Sequence, residues 1–245
     1  MTTVTASSEL TQLLQQGQQL QAGAPAWQRV LREQATAAVA GRPLPGRREE
    51  SWRYTPLRFL GEADYRLFTE ESFEALQPED IEGLLIDGLE GDRLVFVNGR
   101  LAPGLCRLGP DSRDIVVTAL GGGLGEVPAA LRDQLGRVAD QQHVLAALNS
   151  ALMTDGALVL VPAGVRAEQP LEILHVSVGL DEPLACHPRH LVVLGKDAHA
   201  QIIERYCSLG DSTYFNNVGV EVALGSGSEL LHVRLQEESR NAQHL

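Results

Sequence analysis

LVVLGKDAHAQIIERY at residues 191–206 and EVALGSGSELLHVRLQ at residues 221–236 align without a gap. In each, an apolar run ends at Leu-Gly, a few small or polar residues follow, and a second apolar run begins. The alignment sets Gly195 and Gly225 thirty positions apart, and Gly164 in LVPAGV precedes Gly195 by thirty-one. A fixed period in this range marks a stacked solenoid, and strand-rich repeats of this size predict the rungs of a β-helix. An antiparallel sandwich would show similar strands without the period.

Working outward, the same texture begins after Asn149. ALVLV (157–161), LEILHVSV (171–178), HLVVL (190–194), AQIIERY (200–206), VGVEVAL (218–224) and ELLHVRL (229–235) read as strands. The turns between them leave no room for a crossover helix, which excludes a βαβ sheet. The division predicted is a mixed, helix-rich N-terminal domain with its linker over 1–149 and the first rungs of a β-helix over 150–245.

The N-terminal part reads differently. Leu10, Leu13 and Leu14 recur at helical spacing behind Ser7 and Ser8, which can cap, and Pro25 opens a second helix with Trp27, Val30 and Leu31 on one face. GRPLPGRREESW is a linker by composition. Pro78 starts a short helix, Asn98-Gly99 signals a hairpin, and apolar positions from Val127 to Leu152 predict one longer helix. The C-terminal QEESRNAQHL follows an apolar strand with no helix or polar cap. That pattern predicts an exposed end that another chain or further sequence would cover, and self-association of the chain alone.

Composition narrows the function. The chain is 44% hydrophobic with a net charge of −12, which argues against a phosphate-backbone grip on nucleic acid. Only the stretch around Arg42–Arg58 is locally basic, and a solvated loop is its plainer reading over a docking patch. Cys106, Cys186 and Cys207 are odd in number and widely spaced, so neither a disulfide framework nor ordinary zinc spacing is indicated. Without a leader-like N-terminus or a membrane-length apolar run, a soluble, cytoplasmic protein is expected.

Motif tests return no catalytic centre. The single lysine, Lys196, follows Gly195, but Asp197 stands where a P-loop needs Ser or Thr. LGGGLGEVP has Glu126 where the third glycine of a dinucleotide fingerprint belongs, so it reads as a flexible loop. Cys186, His187 and His190 in ACHPRH are candidate soft-metal ligands without a second ligand pair, and a turn or strand start is the plainer reading. Cys207 reads as a core thiol, and His175, His199 and His232 as hydrogen-bonded strand residues.

REESWRYTPL, RLVFVNGR, MTDGALVLVPAGVRAEQPLEILHV, PRHLVVLGKDAHAQIIERY and VGVEVALGSGSELLHVRLQ, in that order, resemble the SufB/SufD family of iron-sulfur cluster assembly proteins over residues 40–245. The most specific element is Glu50, Trp52, Arg53, Tyr54, Thr55, Pro56 and Leu57. The resemblance implies a mainly β fold, a partial right-handed parallel β-helix behind an α-rich N-terminal domain. It implies a subunit that is not itself an enzyme and that partners SufB and the ATPase SufC. The iron-sulfur cluster belongs to the full complex, and no cofactor is bound by this chain alone. Family members continue through further rungs to a helical domain, and the family's cluster-site His and SufC contacts lie there. No catalytic, cofactor or metal residue is therefore carried over. The Trp52–Tyr54 ring pair is either an anchor or a recognition surface. Two other functions stay open on the residues: a β-helix enzyme acting on polysaccharide, disfavoured by 4% aromatic content and one lysine, and a metal carrier using Cys186, His187 and His190.

Overall fold

A computed structural model describes residues 8–19, 23–67, 76–109, 114–180 and 182–245. Its first half holds helices α1 (Ser8–Gln19), α2 (Ala26–Val39) and α3 (Pro78–Ile81), strands β1 (Arg66–Leu67), β2 (Arg93–Val97), β3 (Arg100–Leu101) and β4 (Val116–Ala119), and helices α4 (Ala129–Arg132) and α5 (Val144–Leu152). Nine strands follow: β5 (Ala157–Val161), β6 (Leu171–Val178), β7 (Leu184–Cys186), β8 (Arg189–Leu194), β9 (His199–Leu209), β10 (Tyr214–Asn216), β11 (Gly219–Leu224), β12 (Glu229–Glu237) and β13 (Ala242–His244).

From β5 onward the chain visits three sheets in rotation. Strands β5, β8 and β11 lie in one sheet, β6, β9 and β12 in a second, and β7, β10 and β13 in a third, all paired in parallel. The first half extends every sheet: β1 pairs with β7, β2 with β6, and β4 runs antiparallel to β5. The sheets are thus continuous across residue 149. Among the described residues the architecture is mixed α/β with parallel sheets and no closed barrel.

The thirty-residue repeat is a register. Leu194 pairs with Leu224, His199 with Glu229 and Leu184 with Tyr214. Gly164 does not stack under Gly195. Val161 pairs with Leu194 and Leu171 with Ile202, so the turn after β5 carries two more residues than the one after β8, and the Gly195 N–H reaches the Val161 carbonyl.

Strand alternation sorts side chains into one interior and three outer faces. Leu94, Phe96, Val159, Ile173, Val192 and Ile202 fill the interior between sheets. The outer face of the β6 sheet is covered by Ile81, Ala102 and Leu105, and that of the β5 sheet by Val127, Leu131 and Leu135 with Trp27 and Leu31 against it. The third sheet presents Ala185 and Phe215 to α1, α2 and α5. Coverage of outer faces explains the helical first half: each sheet needs an apolar lid.

Two expectations need correction. The stretch from Val127 to Leu152 is not one helix but α4 and α5 separated by a turn. The Glu221 carboxylate accepts from the backbone N–H of Gly136 (2.7 Å), Val138 (2.8 Å) and Ala139 (3.1 Å), and Gly136 sits at φ 82. Those donors therefore go to a side chain instead of a helical ladder. The fully buried positions of α2 are Gln28, Arg32, Ala35 and Val39, with Trp27 and Leu31 only partly covered and Val30 about half exposed at 51%. Polar contacts described below draw Gln28 and Arg32 inward. The third sheet was not visible in the sequence, because its strands are only two or three residues long. For α1, Ser7 and the side chain of Ser8 lie outside the described residues. The hairpin at Asn98-Gly99 forms as expected, with φ of 47 and 77 at its two turn residues.

Candidate functional site

The interior is apolar along one side and titratable along the other. On β6 the inward row runs Leu171, Ile173, His175, Ser177; on β9 it runs Ala200, Ile202, Glu204, Tyr206, Ser208; on β12 it runs Leu230, His232, Arg234, Gln236. Polar residues in register on successive turns make a column along the coil axis.

Its deepest members are His175 and His190, both fully buried, with their Nε2 atoms 3.1 Å apart. The His190 Nδ1 accepts the Ala157 N–H at 2.9 Å, so the His190 proton sits on Nε2 and is donated to His175. The His175 ring stacks between Phe96 (4.9 Å) and Tyr206 (4.7 Å). Burial lowers His190 to about 4 and holds His175 well below the ordinary range, so both are neutral at pH 7.

Glu204 is the column's charge. Its carboxylate accepts from the Tyr206 hydroxyl at 2.6 Å and His232 Nε2 at 2.7 Å, with Arg234 at 2.9 Å. Burial alone would raise this carboxyl, but the His232 and Tyr206 hydrogen bonds and the Arg234 charge outweigh it, leaving Glu204 well below the carboxylate range. Beyond it, His244 bonds Glu238 at 2.7 Å and meets the Tyr206 ring edge-on at 4.5 Å. On β12 the His232 and Arg234 side chains are partly exposed.

Two further buried ion networks clamp the outside. Glu172 joins Arg93 (2.5 Å) and Arg205 (3.0 Å), and Arg205 continues to Glu237 (2.7 Å). Arg189 donates to Glu221 (2.7 Å) and Asn149 (2.9 Å). These networks bind successive turns to one another. Such groups specify register as well as adding stability.

The sequence candidates divide. The His187 ring lies against Phe215 and its Nδ1 faces Asn217 at 3.2 Å, whereas His190 points into the coil, so ACHPRH does not converge on one point. Burial pushes the Cys186 thiol up to about 12 and the Cys207 thiol to about 11. Among the described residues no three His, Cys, Asp or Glu side chains are grouped to hold a metal ion. His199 contacts Arg166 at 3.0 Å and Glu229 at 3.4 Å. Trp52 and Tyr54 part company: Trp52 packs against the helical cluster, 5.5 Å from the His143 ring, while Tyr54 is 86% exposed beneath Arg53. Composition alone hides the Glu204 column. Its signal is the alternation of residues within aligned repeats.

Comparison with known proteins places these features. The SufBD protein N-terminal region model matches residues 4–173, and the SUF system FeS cluster assembly SufBD core domain model matches 176–245. An iron-sulfur cluster assembly SufBD family protein of Synechocystis is 28% identical over 222 residues, 87% of this chain and 48% of that protein. The iron-sulfur cluster assembly protein SufD of Escherichia coli is 28% identical over 204 residues, 82% of this chain and 44% of its own. That of Bacillus subtilis is 25% identical over 197 residues, 75% and 42% of the two chains. The chain spans about half the length of the curated relatives it matches. With family models covering both its halves, the chain belongs to the SufBD family of SUF-system iron-sulfur cluster assembly proteins.

Proposed function

We propose that this chain is a non-catalytic subunit of a cytoplasmic SufBCD-type scaffold, pairing with a SufB homologue and a SufC-type ATPase, with the iron-sulfur cluster as cargo of the complex. The observation that carries this reading is the contiguous match of two SufBD models along the chain. The rotation of strands among three parallel sheets supports its corollary, that these turns begin a right-handed parallel β-helix. The internal titratable column also suits a scaffold, since its groups are bonded to one another inside the coil. No described residue is assigned to the cluster. Among the described residues, no helix is long and apolar enough to cross a membrane.

The test is co-expression of the tagged chain with SufB and SufC from the same source. Co-purification with both partners is expected. A chain that is left behind while SufB and SufC form a cluster-bearing complex overturns the proposal.

A further inference from the structure

A cavity of about 490 Å³ opens between the start of α2 and the glycine-rich 121–127 loop, and none of its lining residues belongs to the titratable column. Three arginines line it, Arg32, Arg100 and Arg132, against one acid, Glu126. Trp27 and Thr154 complete the wall relevant here. Asp155 lies behind the loop, its carboxylate taken by the N–H groups of Leu101, Gly121 and Gly156.

Arg32 is the informative residue. It is 4% exposed, yet among the described residues its Nε and Nη1 have no hydrogen-bond partner. Its Nη2 donates to the Gln28 side chain at 3.2 Å, and Gln28 in turn donates to the Leu120 carbonyl at 2.6 Å. That brace holds the guanidinium at the cavity wall, with Nε and Nη1 buried and unpartnered. Burial, and then the like charge of Arg100, lowers Arg32 to about 10, so it remains protonated at neutral pH. A buried cation with idle donors beside a second cation is costly without an anion.

Two backbone features add to this. Pro25 is the N-cap of α2 and among the described residues no side chain caps it, so the positive helix end lies where Gly23, Ala24 and Pro25 line the cavity. On the opposite wall Gly122 and Gly125 hold φ of 91 and 88, which glycine adopts freely, and they keep that wall free of side chains.

We propose that this cavity is a binding site for a phosphate group, held by Arg32 together with Arg100 and Arg132, with the start of α2 adding positive potential. A tetrahedral oxyanion matches the forked donors of a guanidinium, and Trp27 gives the remainder of a phosphorylated small molecule a ring to rest on. The site is independent of the assembly role, and the loop LGGGLGEVP acquires a purpose as its wall.

The test is a titration of the full chain with inorganic phosphate against chloride at matched ionic strength, read by calorimetry and by Trp27 fluorescence in a Trp52→Phe background. Saturable binding of phosphate and not chloride is expected. Arg32→Gln should weaken it roughly tenfold or more, as the loss of charged hydrogen bonds implies, and Glu126→Gln should strengthen it. The phosphate-free melting temperature of Arg32→Gln should hold or rise, because an unpaired buried charge has gone. Should that variant not fold, Arg132→Gln at the cavity wall is expected to weaken binding with melting unchanged. Absence of saturable binding to the parent chain, equal phosphate affinity in the arginine variants, or a lower melting temperature with affinity unaltered would each overturn the proposal.

Discussion

Replacing Glu221 by Gln changes one oxygen to NH2 in a side chain that is 1% exposed, and the structure states what that does. The carboxylate receives Arg189 through Nε (3.1 Å) and Nη2 (2.7 Å), and receives three backbone N–H groups from the 136–139 turn. All five are donors. An amide oxygen can serve Arg189 and Gly136 at one position or Val138 and Ala139 at the other, and its NH2 must then face the remaining donors. Either way Arg189, 2% exposed, loses the carboxylate charge that pairs with it. Leaving one member of a buried ion pair uncompensated costs about 3–5 kcal/mol. For a chain of this size that corresponds to a fall of about 6–20 °C in melting temperature. Circular dichroism melts and urea midpoints of Glu221→Gln would measure it. A loss under about 1 kcal/mol would refute the reasoning. The double variant Arg189→Met with Glu221→Leu sharpens the test. Buried ion pairs are often replaceable by apolar groups, but here the three N–H groups of the turn stay unpaired, at about 1–3 kcal/mol each. Full recovery in the double variant would show that capture of the 136–139 turn is not what Glu221 contributes.

Trp52→Ala should cost about 2–3 kcal/mol, short of the ~3–5 kcal/mol of a core aromatic because the ring is only partly buried, while Tyr54→Ala should stay within about 0.5 kcal/mol; equal urea midpoints for the two variants would remove the anchor role of Trp52. Stability should fall as pH drops from about 6.5, the ordinary imidazole value. His187 is lowered to about 3 and His190 to about 4 by burial, so the unfolded chain binds protons that the folded chain refuses throughout that window. Each imidazole then contributes a slope of about 1.4 kcal/mol per pH unit. Glu204 extends the loss below the ordinary carboxylate range, its folded value being depressed. Urea midpoints between neutral and mildly acid pH should therefore be shallower for His187→Gln by about one proton, and an unchanged slope would contradict the buried neutral assignment.

What the sequence makes legible here follows from what each element depends on. A long strand with period-2 alternation carries its own signal, so β6, β8, β9, β11 and β12 are read from residues alone, and the Leu-Gly corner at 195 and 225 supplies their register. The strands β7, β10 and β13 are set by the stacking of turns, and three residues such as Tyr214–Asn216 carry no period to detect. Local signals mislead where a distant residue captures the backbone. The apolar spacing of Leu131, Leu135 and Leu145 is helical, but Glu221, more than eighty residues away, takes the N–H groups that the helix would need. The buried positions of α2 show the same logic in reverse. Gln28 and Arg32 look like solvent residues until Leu120 and the cavity behind it are placed, and the helix is then seen to turn two polar side chains inward. Sequence reading finds that His175, His199 and His232 are hydrogen-bonded in their strands, but not which distant residues bond them. Glu204 gives the clearest case: taken alone it is a charge in an apolar strand, and only the pairing of β9 with β12 brings His232 and Arg234 to it.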